Sequence, residues 1–144
     1  MKIMNKYALS LVIVIGSFVS ANAQFLDTLK TSSGLRYVII NKGQGKKPWH
    51  GQKVTIHYTL RSIEGKQLKT SKGEEPLKFT LGSEMVSKGL QEGIALMTKG
   101  DHMKFIIPAK LAFGKEGYRD EVSKKYLVKP DTDCIYEVEL IDFK

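Results

Sequence analysis

The sequence holds one cysteine, Cys134, so it can form no intramolecular disulfide and no C-x-x-C redox or metal motif. It has no G-x-S-x-G nucleophile elbow and no glycine-rich phosphate loop. Its three histidines, His50, His57 and His102, fall at no spacing that suggests a metal site. There is no internal repeat and no low-complexity tract. Only one apolar run stands out, at residues 8–19, and it is too short to span a bilayer comfortably. These absences point away from nucleophilic, redox and metal chemistry, and no cofactor is expected.

The apolar run has a specific setting. Lys2 and Lys6 precede it, and Ala21-Asn22-Ala23 follows with small residues at the two positions a signal peptidase reads. That is the order of a secretory signal. Residues 1–23 are therefore read as a signal peptide, residues 24–33 as a polar lead-in and residues 34–144 as one domain. Cleavage removes two lysines and no acid, lowering the formal net charge from +8 to +6. The product is expected in a periplasm or outside the cell, with no stable membrane insertion after cleavage. Its lysines are spread along the chain without an aromatic-interleaved stripe, so nucleic acid is not an expected partner. The sequence carries no signature of oligomeric state.

Periodicity gives the elements. Residues 53–61 alternate, with Val54, Ile56, Tyr58 and Leu60 on one face and Thr55, His57, Thr59 and Arg61 on the other. Shorter β patterns occupy residues 35–40, 77–81, 103–107 and 133–143. One helix is predicted, with Val86, Leu90, Ile94 and Met97 on one face, Ser87 as N-cap and Lys99-Gly100 as the stop. Gly89 and Gly93 inside it each cost about 1 kcal/mol relative to Ala, which suggests close approach to a sheet. The polar residues 66–75 and the charged residues 115–129 carry no strand pattern, and the latter read as a solvated flap, with a surface that contacts unfolded client chains as the alternative. The fold class is α+β, with about five antiparallel strands wrapped around one short helix. On this reading Cys134 is a small buried hydrophobe and His57 is structural.

Seven segments fall in a telling order. They are Ile56-His57-Tyr58-Thr59, Glu64-Gly65-Lys66, Pro76-Leu77-Lys78-Phe79 with Leu81-Gly82, and Val86 with Lys88-Gly89-Leu90-Gln91-Glu92-Gly93. Leu96-Met97 with Gly100 follows, then Lys104-Phe105-Ile106-Ile107-Pro108 with Ala112-Phe113-Gly114, and last Tyr136-Glu137-Val138-Glu139-Leu140. Together they resemble the FKBP family of peptidyl-prolyl cis/trans isomerases across residues 34–143.

The resemblance implies a non-covalent isomerase acting on X–Pro bonds of exported, prolyl-containing polypeptides. A non-catalytic chaperone or binding module on the same fold is the alternative. Carried over by position, Tyr58, Val86, Ser87 and Phe113 take the catalytic places, with Ser87 contributing its backbone N–H. Leu68, Lys69, Leu77, Leu90 and Tyr136 take the substrate-binding places. Some of these depart from the family pattern. Leu68 and Leu77 stand where Phe is usual, Lys69 where Asp is usual, Phe113 where Tyr is usual and Tyr136 where Phe is usual. The resemblance thus implies an apolar hollow with fewer aromatic walls, altered activity and a weak hold on macrolide inhibitors.

Overall fold

The computed structural model describes residues 27–144, so the signal-peptide reading of residues 1–23 falls outside the described residues. The chain runs through β1 (Leu29–Lys30), β2 (Arg36–Asn41), β3 (Lys53–Ser62), β4 (Gln67–Thr70), β5 (Leu77–Thr80), α1 (Lys88–Leu96) and β6 (His102–Ile107). A short 3-10 turn at Ala109–Leu111 precedes β7 (Tyr118–Arg119), β8 (Tyr126–Val128) and β9 (Cys134–Phe143). Seven strands make one sheet in the order β1-β2-β6-β9-β3-β4, with β5 also on β3, and β7 and β8 form a separate hairpin. Every pairing is antiparallel. The α+β class agrees with the sequence reading, but the strand count is higher than about five.

The extra strands are short. Leu29 and Lys30 pair with β2, so the lead-in is partly sheet. Ser33 in the same stretch donates to the Glu92 carboxylate of α1. Gln67–Thr70 pairs with β3 through residues that no hydrophobic alternation marks. In β3 the inward face is as expected, with Val54, Ile56 and Leu60 buried. Thr59, expected on the solvent face, is buried too, and its hydroxyl meets that of Thr70 at 2.9 Å.

One edge of β3 is shared. β5 pairs with Lys53 to Ile56 and β4 with Thr59 to Arg61, which leaves a gap beside His57 and Tyr58. Buried Ser71 closes it: its hydroxyl accepts from the Tyr58 N–H at 3.0 Å, and its N–H donates to the Tyr58 carbonyl at 3.0 Å. The buried backbone groups are thereby paired, as an interior requires. His57 Nδ1 also meets the Ser71 hydroxyl at 3.1 Å.

The helix lies against β6, and two glycines set the spacing. A methyl group added at Gly93 would stand 2.8 Å from Cδ1 and Cε1 of Phe105, and one at Gly89 2.8 Å from the Leu111 carbonyl oxygen. Ser87 caps the helix, its Oγ accepting from the Leu90 N–H at 3.4 Å. The helix ends at Leu96 with Met97 as C-cap, short of the expected Lys99-Gly100 stop. Lys99 instead pairs with Asp142 at 2.8 Å. Leu90, Ile94, Met97, Phe105, Ile107, Val138 and Leu140 belong to one continuous core.

Gly93→Ala sets two effects against each other. Helix propensity favours Ala by about 1 kcal/mol, while overpacking a core that cannot shift costs about 1–3 kcal/mol. Phe105 is fully buried, so the steric cost wins. Urea denaturation of Gly93→Ala is expected to show a net loss of up to about 2 kcal/mol; a gain would refute the close-packing account.

Candidate functional site

The split edge of β3 and the start of α1 enclose a hollow of about 550 Å³. Leu90 and Tyr136 form its depth, and Leu60 and Tyr58 of β3 supply one side. Leu77 comes from β5, and Val86 and Ser87 from the segment leading into the helix. Ala112 and Phe113 follow the 3-10 turn, and Lys69 comes from β4. Of the nine residues singled out in the sequence, eight meet here.

The exception is Leu68. It is the extra residue of a β-bulge, since Leu60 pairs with Lys69 and Arg61 with Gln67. It packs against the core and does not line the hollow. A bulge re-aims the side chains on either side of it, and no sequence alternation signals it.

Other lining residues escaped sequence reasoning. Tyr118, Glu121, Glu84 and Met85 all face the hollow. Tyr118 sits in the segment read as a flap, but β7 and β8 fold that segment back as a hairpin. The Tyr118 ring stacks on Phe113 with centroids 4.9 Å apart and planes 12° apart. An aromatic five residues past Phe113, in a stretch that also holds Gly114 and Gly117, was the available signal. Gln91 was also missed. Its Nε2 donates to the Ser83 carbonyl at 2.5 Å and the Val86 carbonyl at 3.0 Å, and its Oε1 accepts from the Gly82 N–H at 2.5 Å. One side chain thus staples the Val86–Ser87 wall to the helix.

The chemistry on offer is binding. The Ser87 N–H, one of the free donors at a helix start, meets no acceptor among the described residues. Tyr58 and Tyr136 stand with ring centroids 5.8 Å apart at 45°. Burial raises both hydroxyls above the ordinary tyrosine range. Burial also pushes the Cys134 thiol up to about 12, which removes it as a nucleophile near neutrality. Among the described residues no three His, Cys, Asp or Glu side chains group to hold a metal ion.

The family model described as FKBP-type peptidyl-prolyl cis-trans isomerase matches residues 44–141. The chain belongs to that family. It is 35% identical over 118 residues to the FKBP-type isomerase FkpA of Escherichia coli, covering 81% of this chain and 40% of that protein. It is 33% identical over 110 residues to the peptidyl-prolyl cis-trans isomerase Fkbp12 of Drosophila melanogaster, covering 75% of this chain and 96% of that one. Among solved structures, the N-terminal domain of FKBP42 from Arabidopsis thaliana superposes with a TM-score of 0.72 at 29% identity, covering 82% of this chain and 92% of that one. The chain spans less than half the length of the FkpA relatives it matches.

Within this FKBP fold two buried groups titrate, Tyr136 in the wall of the hollow and Cys134 in the core. Tyr136 and Cys134 are weak acids that the folded state keeps protonated, because burial raises both. Unfolding lets them ionise at their ordinary values, 10.0 and 9.0. Their contribution to stability is therefore full below about pH 9 and falls as pH rises beyond it. Urea titrations at several pH values are expected to show that fall, and Tyr136→Phe is expected to lessen it. An equal fall in both proteins would remove Tyr136 from the account.

Proposed function

We propose that this chain is a peptidyl-prolyl cis/trans isomerase that turns X–Pro bonds of exported polypeptides without covalent chemistry. The observation that carries the reading is the hollow itself: apolar walls from Tyr58, Leu77, Val86, Leu90 and Phe113 around the free Ser87 N–H. Kinship with proteins named as isomerases supports it.

The reaction needs little else. Rotation about a peptide C–N bond has a barrier of about 18–20 kcal/mol because amide resonance is lost. The twisted amide carries less charge separation than the planar one. Moving it from water into an apolar hollow therefore favours the transition state over the ground state. Leu90 and Val86 exclude water from the prolyl ring. The Ser87 N–H donates to a carbonyl beyond the rotating bond and so holds that half of the peptide still. Tyr58, Val86, Ser87 and Phe113 thus take the catalytic contacts, while Leu77, Leu90 and Tyr136 bind the chain around them and Lys69 stands on the same lining. Leu68 acts at one remove, through the core beneath.

The test is an X–Pro isomerisation assay on a chromogenic prolyl peptide. The protein is expected to relax the peptide well ahead of the uncatalysed reaction, which takes about 10–100 s. Tyr58→Ala is expected to lower kcat/KM about tenfold or more, with a circular dichroism spectrum like that of the parent. A folded parent protein no faster than background would leave the non-catalytic binding module as the better reading.

Export rests on residues 1–23, while no helix among the described residues is long and apolar enough to cross a membrane. N-terminal sequencing of the chain recovered from a cell envelope or medium is expected to begin at Gln24. A chain retained inside the cell with Met1 intact would overturn export.

A further inference from the structure

We propose that Tyr118, held in place by Lys69, is a substrate-gripping donor in the hollow, supplying a hydroxyl that position 113 lacks. The inference rests on the isomerase reading above and assigns a residue to it.

Phe113 has a ring in the hollow but no polar atom to offer. Tyr118 lies against that ring in a near-parallel stack and lines the same hollow, and it carries the hydroxyl that Phe113 lacks. Lys69 Nζ donates to the Tyr118 oxygen at 3.1 Å. An ammonium only donates, so this contact occupies an oxygen lone pair and leaves the phenolic hydrogen to be given elsewhere. Among the described residues no acceptor takes it. The ammonium, 5.7 Å from the ring centroid, also draws electron density from the hydroxyl and makes it a better donor. Tyr58 and Tyr136 line the same hollow, but the hydrogen bond from Lys69 goes to Tyr118; its charge reaches Tyr58 only through space.

The hairpin holds the ring in register. The Gly117 N–H donates to the Phe113 carbonyl at 3.0 Å, tying the residue before Tyr118 to the residue it stacks on. Gly117 has φ +68, and a methyl group there would stand 2.6 Å from the Val128 carbonyl oxygen. Only glycine lets β7 pass so close to β8. Tyr118 pairs with buried Val128, and the Arg119 guanidinium lies 3.7 Å over the Tyr126 ring.

The acceptor is a backbone carbonyl of the prolyl peptide outside the rotating bond. A donor on the rotating carbonyl itself would favour the charge-separated planar amide and slow the turn. Tyr118 is then a catalytic contact, and Lys69, which acts through it, is a positioning residue.

Tyr118→Phe removes the hydroxyl and keeps the stack. In the prolyl-peptide assay its kcat/KM is expected to fall about tenfold, the loss of one good hydrogen bond. Lys69→Met is expected to lower kcat/KM about threefold, and Lys69→Arg to restore it to within about twofold of the parent. Thermal melts accompany each variant. An active parent with Tyr118→Phe within about twofold of it overturns the donor assignment and leaves the isomerase reading standing. Should Lys69→Met match the parent, or Lys69→Arg fail to recover its loss, the positioning role of Lys69 is overturned. A parent no faster than the uncatalysed reaction overturns the isomerase reading and this assignment with it. If Tyr118→Phe does not fold, the Lys69 pair decides the outcome.

Discussion

The contact between α1 and β6 sets the depth of everything above it. Gly89 and Gly93 let the helix axis approach until the Phe105 ring and the Leu111 backbone fill the space where side chains would stand. Each glycine costs helix propensity of about 1 kcal/mol. The approach offsets that cost by burying Leu90, Ile94 and Phe105 together in one core. Leu90 is thereby sunk to the bottom of the hollow rather than raised into it. A helix riding a methyl group higher would carry Val86, Ser87 and Leu90 outward as a unit, because Gln91 staples that wall to the helix.

The second constraint is the divided edge of β3. Two short strands share it, and the gap between them falls beside Tyr58. A continuous partner strand would cover that gap; here Ser71 satisfies the backbone while leaving Tyr58 half-buried. The hollow is thus an interruption in sheet pairing, lined by the apolar face of β3 and roofed by the helix start and the hairpin. Of its polar fixtures, Ser71 and Gln91 lie outside the lining and hold it, while Ser87 is part of the wall. Such an arrangement keeps the walls at Leu60, Leu77, Val86 and Leu90 apolar without leaving the frame loose, while Lys69, Glu84 and Glu121 put charge on the same lining.

Much of this was legible in the sequence where periodicity was long enough to read. The alternation of β3, the one-sided helix and the Ser87 cap all follow from spacing. The two interior glycines announced the close approach because nothing else explains their cost. Short elements were illegible: β1 and β7 have two residues each, too few to show a period, and β4 is polar because Gln67 and Lys69 face outward or toward the hollow's rim. Leu68 was misplaced because a bulge has no signature in alternation. Tyr118 was missed because its charged neighbours mask it, and only a chain reversal at Gly117 brings it over Phe113.

The charge at Lys69 bears on what an isomerase hollow can tolerate. A bare cation beside the rotating amide would stabilise the planar form, whose oxygen carries the negative end of the dipole, and so oppose the reaction. Lys69 avoids this in two ways. Its residue is exposed, so the head keeps water while the stem covers apolar surface. Its ammonium also donates to the Tyr118 hydroxyl, so a neutral group takes up one of its hydrogen bonds. Glu121 and Glu84 on the same lining further offset the positive field. The hollow therefore admits a reversed charge at its mouth because the charge works through a phenol, and the phenol reaches a part of the peptide that does not turn.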